Sequence, residues 1–284
     1  MCWMNDGTGF LKKRGCGGHF SFAIELGDMD GDGDLDLFQG GLEKSECKRC
    51  AITGIVWNDG RGNFNKHNTT RLPQHGEIYF NVPEASISDL DSDGDLDLVL
   101  SRAGHLYGGT AVSIIENLGN KKFKSHGIIE VLPAPDGYVA TSEANPWNKF
   151  IISIKFRDLD KDGDMDLALM GSASTGTITN VYKNNDGSFV NTNQNFNKFI
   201  GGDIEFVDVN QDGWLDVAVS GFGEGNVRKS ELYINQEGAF FELMEDYNVR
   251  GLSQVDMEWG DLDNDGDPDL IISGIDETNS FMTL

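Results

Sequence analysis

Apolar and polar residues alternate along parts of this chain in the pattern that is typical of β-strands. An alternation of period two places one face of a strand in a core. Two stretches carry it most clearly, and their apolar positions are Phe20, Phe22, Ile24 and Leu26, then Phe150, Ile152, Ile154 and Phe156. These stretches are predicted to be strands that are buried on one face.

Short uninterrupted apolar runs form a second class of predicted strand. They are too short for helices and end near Gly or Ser, so they indicate strands that are buried in a core. The five runs are Leu37-Phe38, Leu98-Val99-Leu100, Leu167-Ala168-Leu169-Met170, Val217-Ala218-Val219 and Leu270-Ile271-Ile272.

A turn phrase that begins with asparagine and is followed by phenylalanine recurs as well. It predicts tight hairpins, because Asn, Asp and Gly tolerate a positive φ. The phrases begin at Asn5, Asn58, Asn117, Asn184 and Asn235.

Between the two classes of strand lies an acidic phrase of nine residues, Asp-x-Asp/Asn-x-Asp-Gly-x-x-Asp, which occurs five times. Calcium takes six to eight oxygen ligands, and a tight loop can supply them from its first, third, fifth and ninth side chains and its seventh carbonyl. Glycine at the sixth position permits the chain reversal with a positive φ. The phrases therefore predict about five Ca²⁺ sites, in loops numbered first to fifth along the chain.

The predicted side-chain ligands are, loop by loop, Asp28, Asp30, Asp32 and Asp36; Asp89, Asp91, Asp93 and Asp97; Asp158, Asp160, Asp162 and Asp166; Asp208, Asn210, Asp212 and Asp216; and Asp261, Asp263, Asp265 and Asp269. The predicted carbonyl donors are Asp34, Asp95, Asp164, Trp214 and Asp267. Asn210 removes one charge, so we expect the fourth loop to be the weakest site.

An EF-hand begins with the same phrase, but it needs a bidentate Glu at its twelfth position and helices on both sides. Neither requirement is met. The twelfth positions are Gln39, Leu100, Leu169, Val219 and Ile272, and all five lie in or directly after a predicted strand.

Each repeat is thus predicted to hold a strand, a metal loop, a strand, a connection, a strand, a tight turn and a fourth strand. The loops start on average about 58 residues apart. A four-stranded antiparallel repeat of this length is typical of a β-propeller blade, which must stack on neighbours to bury its apolar face. We predict an all-β fold, a single β-propeller domain over residues 1–284, with five repeats.

The residues of these loops resemble the FG-GAP and VCBS repeats, a family whose propellers include the head of the integrin α subunit. The resemblance covers nearly the whole chain and implies that the metal loop joins the first two strands of each blade. The Gly-Ala-Pro that follows the second strand in integrins is absent, and endings such as Asp269 to Gly274 replace it. The chain therefore looks closer to bacterial VCBS repeats, which weakens any expectation of integrin-like ligand binding.

Charge and composition exclude some classes of function. The formal net charge is −25, with 47 acidic and 22 basic residues, and almost half of the acidic residues lie in the five phrases. A chain this acidic has no electrostatic footprint for nucleic acid or for anionic lipid. No apolar run is long enough to span a membrane, so no membrane insertion is expected.

Both ends of the chain read as cut within a blade, because joining Leu284 to Trp3 would restore one repeat. This favours either a closed five-bladed ring or an excerpt of a longer propeller, such as a seven-bladed one, and we expect a larger parent chain. Four cysteines, Cys2, Cys16, Cys47 and Cys50, allow a local disulfide staple, unpaired thiols or a zinc site, and zinc is the less favoured reading.

The sequence favours a calcium-binding module that is non-catalytic and binds a protein or glycan ligand, in an extracellular, cell-surface or periplasmic setting. The alternative is the propeller of a carbohydrate-active enzyme such as a polysaccharide lyase. Partner contacts are expected in the variable connections, whose candidate aromatics are Tyr107, Tyr138, Trp147 and Phe222. Clustering of these residues with Arg102 or His105 in one cleft would favour the enzyme.

Overall fold

The computed structural model describes residues 2–5, 7–8, 10–14, 21–41, 43–44, 53–65, 67–73, 79–81, 84–104, 110–132, 152–173 and 176–283. In these residues the chain consists of β-strands, connecting loops and a 3₁₀ turn at Glu224–Asn226. The all-β prediction is confirmed. The chain divides into two compact units, Met1–Val131 and Leu132–Leu284, and the single domain stays a prediction.

In its described residues the first unit holds three antiparallel sheets. Its strands are β1 (Cys2–Asn5), β2 (Leu11–Arg14), β3 (Ser21–Gly27), β4 (Asp36–Gly41), β5 (Glu43–Lys44), β6 (Gly54–Val56), β7 (Thr69–Arg71), β8 (Tyr79–Asn81), β9 (Ala85–Ser88), β10 (Asp97–Gly104), β11 (Thr110–Asn117) and β12 (Phe123–Leu132, which ends one residue beyond the unit). Strands β1 and β2 form a hairpin, and β3-β4-β6-β7 form a four-stranded sheet. In the third sheet β12, β11 and β10 follow in order, β8 and β9 both pair with β10, and β5 pairs with β8.

In the second unit, strands that follow one another in the chain are neighbours in each sheet. Its strands are β13 (Ile152–Arg157), β14 (Asp166–Ala173), β15 (Gly176–Lys183), β16 (Val190–Asn191), β17 (Ile200–Val207), β18 (Asp216–Phe222), β19 (Arg228–Asn235), β20 (Phe241–Leu243), β21 (Ser253–Gly260), β22 (Asp269–Ile275) and β23 (Phe281–Thr283). They form the sheets β13-β14-β15-β16, β17-β18-β19-β20 and β21-β22-β23. The predicted four-stranded antiparallel repeat is thus present in three of the sheets and in strands β9 to β12 of the six-stranded sheet, and the last sheet has three strands in the described residues.

Apolar side chains join neighbouring sheets within each unit. In the second unit one buried cluster includes Met170 from the third repeat together with Phe199, Ile204 and Val219 from the fourth. In the first unit Phe38 and Trp57 share a cluster with Leu98. A single sheet cannot bury both of its faces, so contact with the next sheet removes this apolar surface from water.

Polar side chains also connect the first strands of the three sheets in the second unit. Ser153 on β13 donates a 2.7 Å hydrogen bond to the buried carboxylate of Asp203 on β17. The other oxygen of Asp203 accepts from the backbone N–H of Met257 on β21 at 3.2 Å. Lys155 and Glu205 form an ion pair between the same first two strands. These contacts place the first strands side by side.

The prediction for β3 is wrong about which face of the strand is buried. Ile24 and Leu26 are 64% and 57% exposed, whereas Ala23 on the opposite face is buried. The next sheet packs against that opposite face, where a Cβ added to Gly27 would lie 3.1 Å from the Leu96 side chain. The equivalent prediction for β13 is confirmed, since Ile154 and Phe156 are buried.

Candidate metal-binding loops

Each acidic phrase joins the first two strands of its repeat, as the pattern predicted. The loops span 28–36, 89–97, 158–166, 208–216 and 261–269, and in every one the ninth residue is the first residue of the second strand. All of the predicted ligand positions lie in described residues. The twelfth positions fall in or beside these second strands and are almost fully buried, which confirms that the loops are not EF-hands.

Backbone hydrogen bonds fold every loop in the same way. The N–H of the sixth-position glycine donates to the first aspartate at 2.9 to 3.1 Å. The seventh N–H donates to the fifth-position aspartate at 2.8 to 3.0 Å. The glycine has φ between 88° and 99° in all five loops, a conformation that a Cβ would strain. This turn gathers the acidic side chains of positions one to five.

The ninth aspartate ties the loop to the rest of its sheet. One of its oxygens accepts from the N–H of the second loop residue at 2.9 to 3.1 Å in all five loops. In the first four loops its other oxygen accepts from the asparagine that begins the next turn phrase, at 2.8 to 2.9 Å. These four carboxylates, of Asp36, Asp97, Asp166 and Asp216, are at most 2% exposed.

The four turn asparagines, Asn58, Asn117, Asn184 and Asn235, act as latches. In each latch asparagine the side-chain oxygen accepts from a glycine N–H of its own turn at 2.8 to 3.1 Å. The side-chain nitrogen donates to the eighth carbonyl of its own loop at 3.0 to 3.2 Å. The sequence identified these residues as turn formers and missed this second role.

Two latch asparagines also reach the loop of the preceding repeat. Asn117 donates to the carbonyl of Met29 in the first loop at 2.8 Å. Asn235 donates to the carbonyl of Leu159 in the third loop at 3.0 Å. Each of these amide groups therefore satisfies buried backbone atoms of two successive repeats.

Carboxylate oxygens converge in four of the five loops. The groups that can hold a metal ion, with one ligand atom from each residue within 4.8 Å of the others, are Asp28, Asp30 and Asp32; Asp89, Asp91 and Asp97; Asp158, Asp160 and Asp166; and Asp261, Asp263 and Asp265. The fourth loop lacks such a group because its third position is Asn210. There the amide nitrogen of Asn210 donates to Asp212 at 2.8 Å.

Six of the loop carboxylate oxygens are buried without a hydrogen-bond partner. They are the Oδ1 atoms of Asp30, Asp34, Asp89, Asp91, Asp158 and Asp160. Buried polar atoms normally have partners, because an unsatisfied one costs about 1 to 3 kcal/mol. A hard cation that prefers oxygen ligands would satisfy these atoms. The residues present in the first three loops therefore fit a bound Ca²⁺.

Two lysines lie against these loops. Lys121, which sits over the ring of Trp57, forms a 2.8 Å ion pair with Oδ2 of Asp30. Lys183 at the end of β15 pairs with Oδ2 of Asp160 and lies 3.2 Å from Asp162, and these contacts raise the pKa of its ammonium group. Neither ion pair could be recognised in the sequence.

Burial shifts the titration of the ninth aspartates. It raises the pKa of Asp36, Asp97 and Asp166 to about 6, against hydrogen bonds that favour the ionised form. The folded metal-free protein thus binds protons between about pH 7 and pH 5 that the unfolded chain does not bind, which stabilises the folded state as the pH falls. The metal-free protein should therefore gain thermal stability over this range.

Calcium should reverse the sign of this pH dependence, because protons compete with the ion for the same oxygens. The check is a series of thermal melts from about pH 7 to pH 5, once in chelator and once in excess calcium. Parallel trends in the two series would contradict the assignment of these carboxylates.

The remaining candidates from the sequence are the cysteines and the residues of the variable connections. Cys16, Cys47, Cys50, His105, Tyr107, Tyr138 and Trp147 lie outside the described residues, as do the side chains of Cys2 and Arg102. Phe222 has the guanidinium group of Arg228 4.7 Å from its ring centroid. Among the described residues no helix is long and apolar enough to cross a membrane.

The sheets and their acidic loops define an all-β repeat protein with candidate metal sites at one end of its sheets. The sequence matches the family model of the FG-GAP-like repeat over residues 89–169, 158–219 and 208–272. These matches cover more than half of the chain, so the protein belongs to the FG-GAP-like repeat family. The first loop lies outside the matched residues, yet it has the same hydrogen bonds as the others.

Other comparisons add little. Among solved structures, the GH43 endo-arabinanase from Bacillus licheniformis is similar at 14% sequence identity, with coverage of 95% of this chain and 98% of that chain and a TM-score of 0.35. A likeness at this level supports no inference about function. No curated protein matches the chain.

Proposed function

We propose that this chain is a calcium-stabilised β-propeller that serves as a non-catalytic binding or adhesion module for a protein or glycan partner, in an extracellular, cell-surface or periplasmic setting. The observation that carries the calcium assignment is the set of buried carboxylate oxygens without partners in the first three loops. Millimolar calcium outside the cell suits the weak sites that extracellular modules make.

Calcium in this proposal is structural. The ion would be held by the side chains of positions one, three, five and nine and by the seventh carbonyl. Its charge would offset the repulsion among carboxylates that the loop brings together, and the loop itself would fix the start of the second strand. The five sheets would stack as blades, in a closed ring of five or as part of a longer array, because stacking covers their apolar faces.

The loop end and the opposite end of each sheet would have different roles. The repeats have similar loops, whereas the connections between the second and third strands differ in length, from 174–175 in the third repeat to 42–53 in the first. Variable connections on a rigid scaffold are where binding residues usually lie. The partner surface is therefore proposed on the side away from the calcium loops.

Calcium titration tests the metal assignment. Isothermal titration should show about five sites, and the fourth loop should be the weakest because it has one carboxylate fewer and Asn210 holds Asp212. Asn210→Asp should tighten this site by roughly tenfold, since each added carboxylate charge favours the ion. Asn193→Asp, a matched change on an exposed residue outside the loops, is the control. A fourth loop that binds calcium as tightly as the others would contradict the ranking.

The binding role needs a separate measurement. Calcium-loaded protein is screened on a glycan array and against extracellular-matrix proteins, and each glycan that binds is then assayed for cleavage products. Binding that leaves the glycan intact supports a non-catalytic module. Cleavage would assign the chain to the carbohydrate-active enzymes instead.

A further inference from the structure

In the third-position aspartates of the first and third loops, the two carboxylate oxygens have different surroundings. Oδ1 of Asp30 and of Asp160 is buried with no hydrogen-bond partner. Oδ2 of each residue is held by a lysine, Lys121 and Lys183 respectively. One oxygen of each carboxylate is thus available for a cation, while the other is neutralised by an ammonium group of the protein itself.

The two lysines come from different places in the fold. Lys183 lies in the third repeat itself, at the end of β15, and also reaches Asp162 at 3.2 Å. Lys121 lies in the turn between β11 and β12 of the second repeat, and its loop partner belongs to the first repeat. The same pairing is therefore built from two unrelated sequence positions.

The second loop offers the contrast. Oδ1 of Asp91 is also buried without a partner, but none of the ion pairs among the described residues joins a lysine to this loop. The second loop therefore concentrates negative charge that the first and third loops have partly neutralised.

From this geometry we infer that Lys121 and Lys183 are built-in counter-ions of the first and third calcium loops, which stabilise these loops without metal and lower their affinity for calcium. The inference rests on the proposed calcium function. An ammonium group beside the cage repels a divalent ion, and it relieves the same carboxylate repulsion that the ion would relieve. The lysine thus stabilises the metal-free loop, and calcium binding then adds less to the stability of the folded protein.

The test is calcium binding and thermal stability of Lys183→Gln. Asp158→Asn, which loses a first-position carboxylate, identifies the titration step that belongs to the third loop. In Lys183→Gln that step should tighten by roughly fivefold, from the repulsion of two charges near the protein surface. The melting temperature in chelator should fall at the same time, so the gain on adding calcium becomes larger than in the wild type.

Three controls distinguish the effect of the contact between Lys183 and the third loop from effects of net charge and of misfolding. Lys183→Arg keeps the positive charge and should retain wild-type affinity at the third loop. Lys198→Gln makes the same charge change at an exposed residue outside the loops and should leave the step unchanged. Combining Lys183→Gln with Asp158→Asn should leave every titration step except that of the third loop as it is in Asp158→Asn alone.

The outcomes are distinguishable. A wild-type chain that binds no calcium overturns the proposed function, whatever the lysine variants do. Calcium binding in which Lys183→Gln leaves the third step unchanged or weakens it overturns the counter-ion role alone, since weakening would mean that the lysine positions Asp160 for the ion. Lys121→Gln should repeat the tightening at the first loop, and the second loop should bind more tightly than either.

Discussion

Removing calcium with a chelator is expected to lower the melting temperature by more than about 10 °C. A ligand that binds only the folded state adds about 1.4 kcal/mol per site at ten times its dissociation constant. Each kcal/mol shifts the melting temperature of a domain of this size by about 2 to 4 °C, so several sites together exceed about 10 °C. Loss of the ions also leaves the repulsion among the carboxylates of each loop uncompensated. Scanning calorimetry in chelator and in millimolar calcium measures the difference.

Magnesium is the control for this experiment. It requires near-ideal octahedral geometry at shorter distances and gives up its water reluctantly, so magnesium should restore little of the lost stability. An unchanged melting temperature in chelator would refute structural calcium in this chain. Equal rescue by both ions would point to general screening of the acidic residues instead of specific sites.

Replacing one latch asparagine is expected to cost several kcal/mol of stability. Asn235 is 2% exposed and bonds the carbonyls of Leu159 and Leu215 and the N–H of Gly238. Asn235→Ala leaves these three groups without their partner inside the protein. At about 1 to 3 kcal/mol for each unsatisfied group, with some relaxation, the free energy of unfolding should fall by roughly 3 to 5 kcal/mol. Urea denaturation of both proteins measures the loss.

The matched control is Asn248→Ala, which changes an exposed asparagine of the same unit. Its effect should stay within about 0.5 kcal/mol, as is usual for surface substitutions. The loss in Asn235→Ala should persist in chelator, because the three bonds involve no metal ligand side chain. A loss that appears only with calcium would show that the latch acts through the ion.

The sequence identified the loops because their information is local and repeated. Alternating aspartates, a glycine at the sixth place and an apolar strand directly after the ninth residue occur within a single window, so spacing alone placed the turn and excluded the EF-hand. The left-handed residue at position four was less visible. It is Gly31 in one loop but Ser92, Lys161, Gln211 and Asn264 in the others, and only the backbone shows that they share a conformation.

Long-range contacts could not be predicted in this way. Asn235 meets Leu159 across 76 residues of sequence, and an asparagine in a turn phrase is fully explained by the turn. The exposed Ile24 and Leu26 illustrate the same limit, because alternation shows that a strand has an apolar face but does not show which face the next sheet will cover. The lysine–aspartate ion pairs could not be predicted for two reasons. Exposed lysines are common, and the partner of each one depends on how the loops fold.

The bond between one repeat's turn and the preceding repeat's loop has a thermodynamic consequence. Repeats that share a buried hydrogen bond cannot open independently, so the first and second repeats, and likewise the third and fourth, are coupled as nearest neighbours. The amides of the third loop and of the turn at Asn235 should then exchange hydrogen with solvent through one common opening event, with similar protection factors. An ion bound in one loop would in this way rigidify the repeat that follows it.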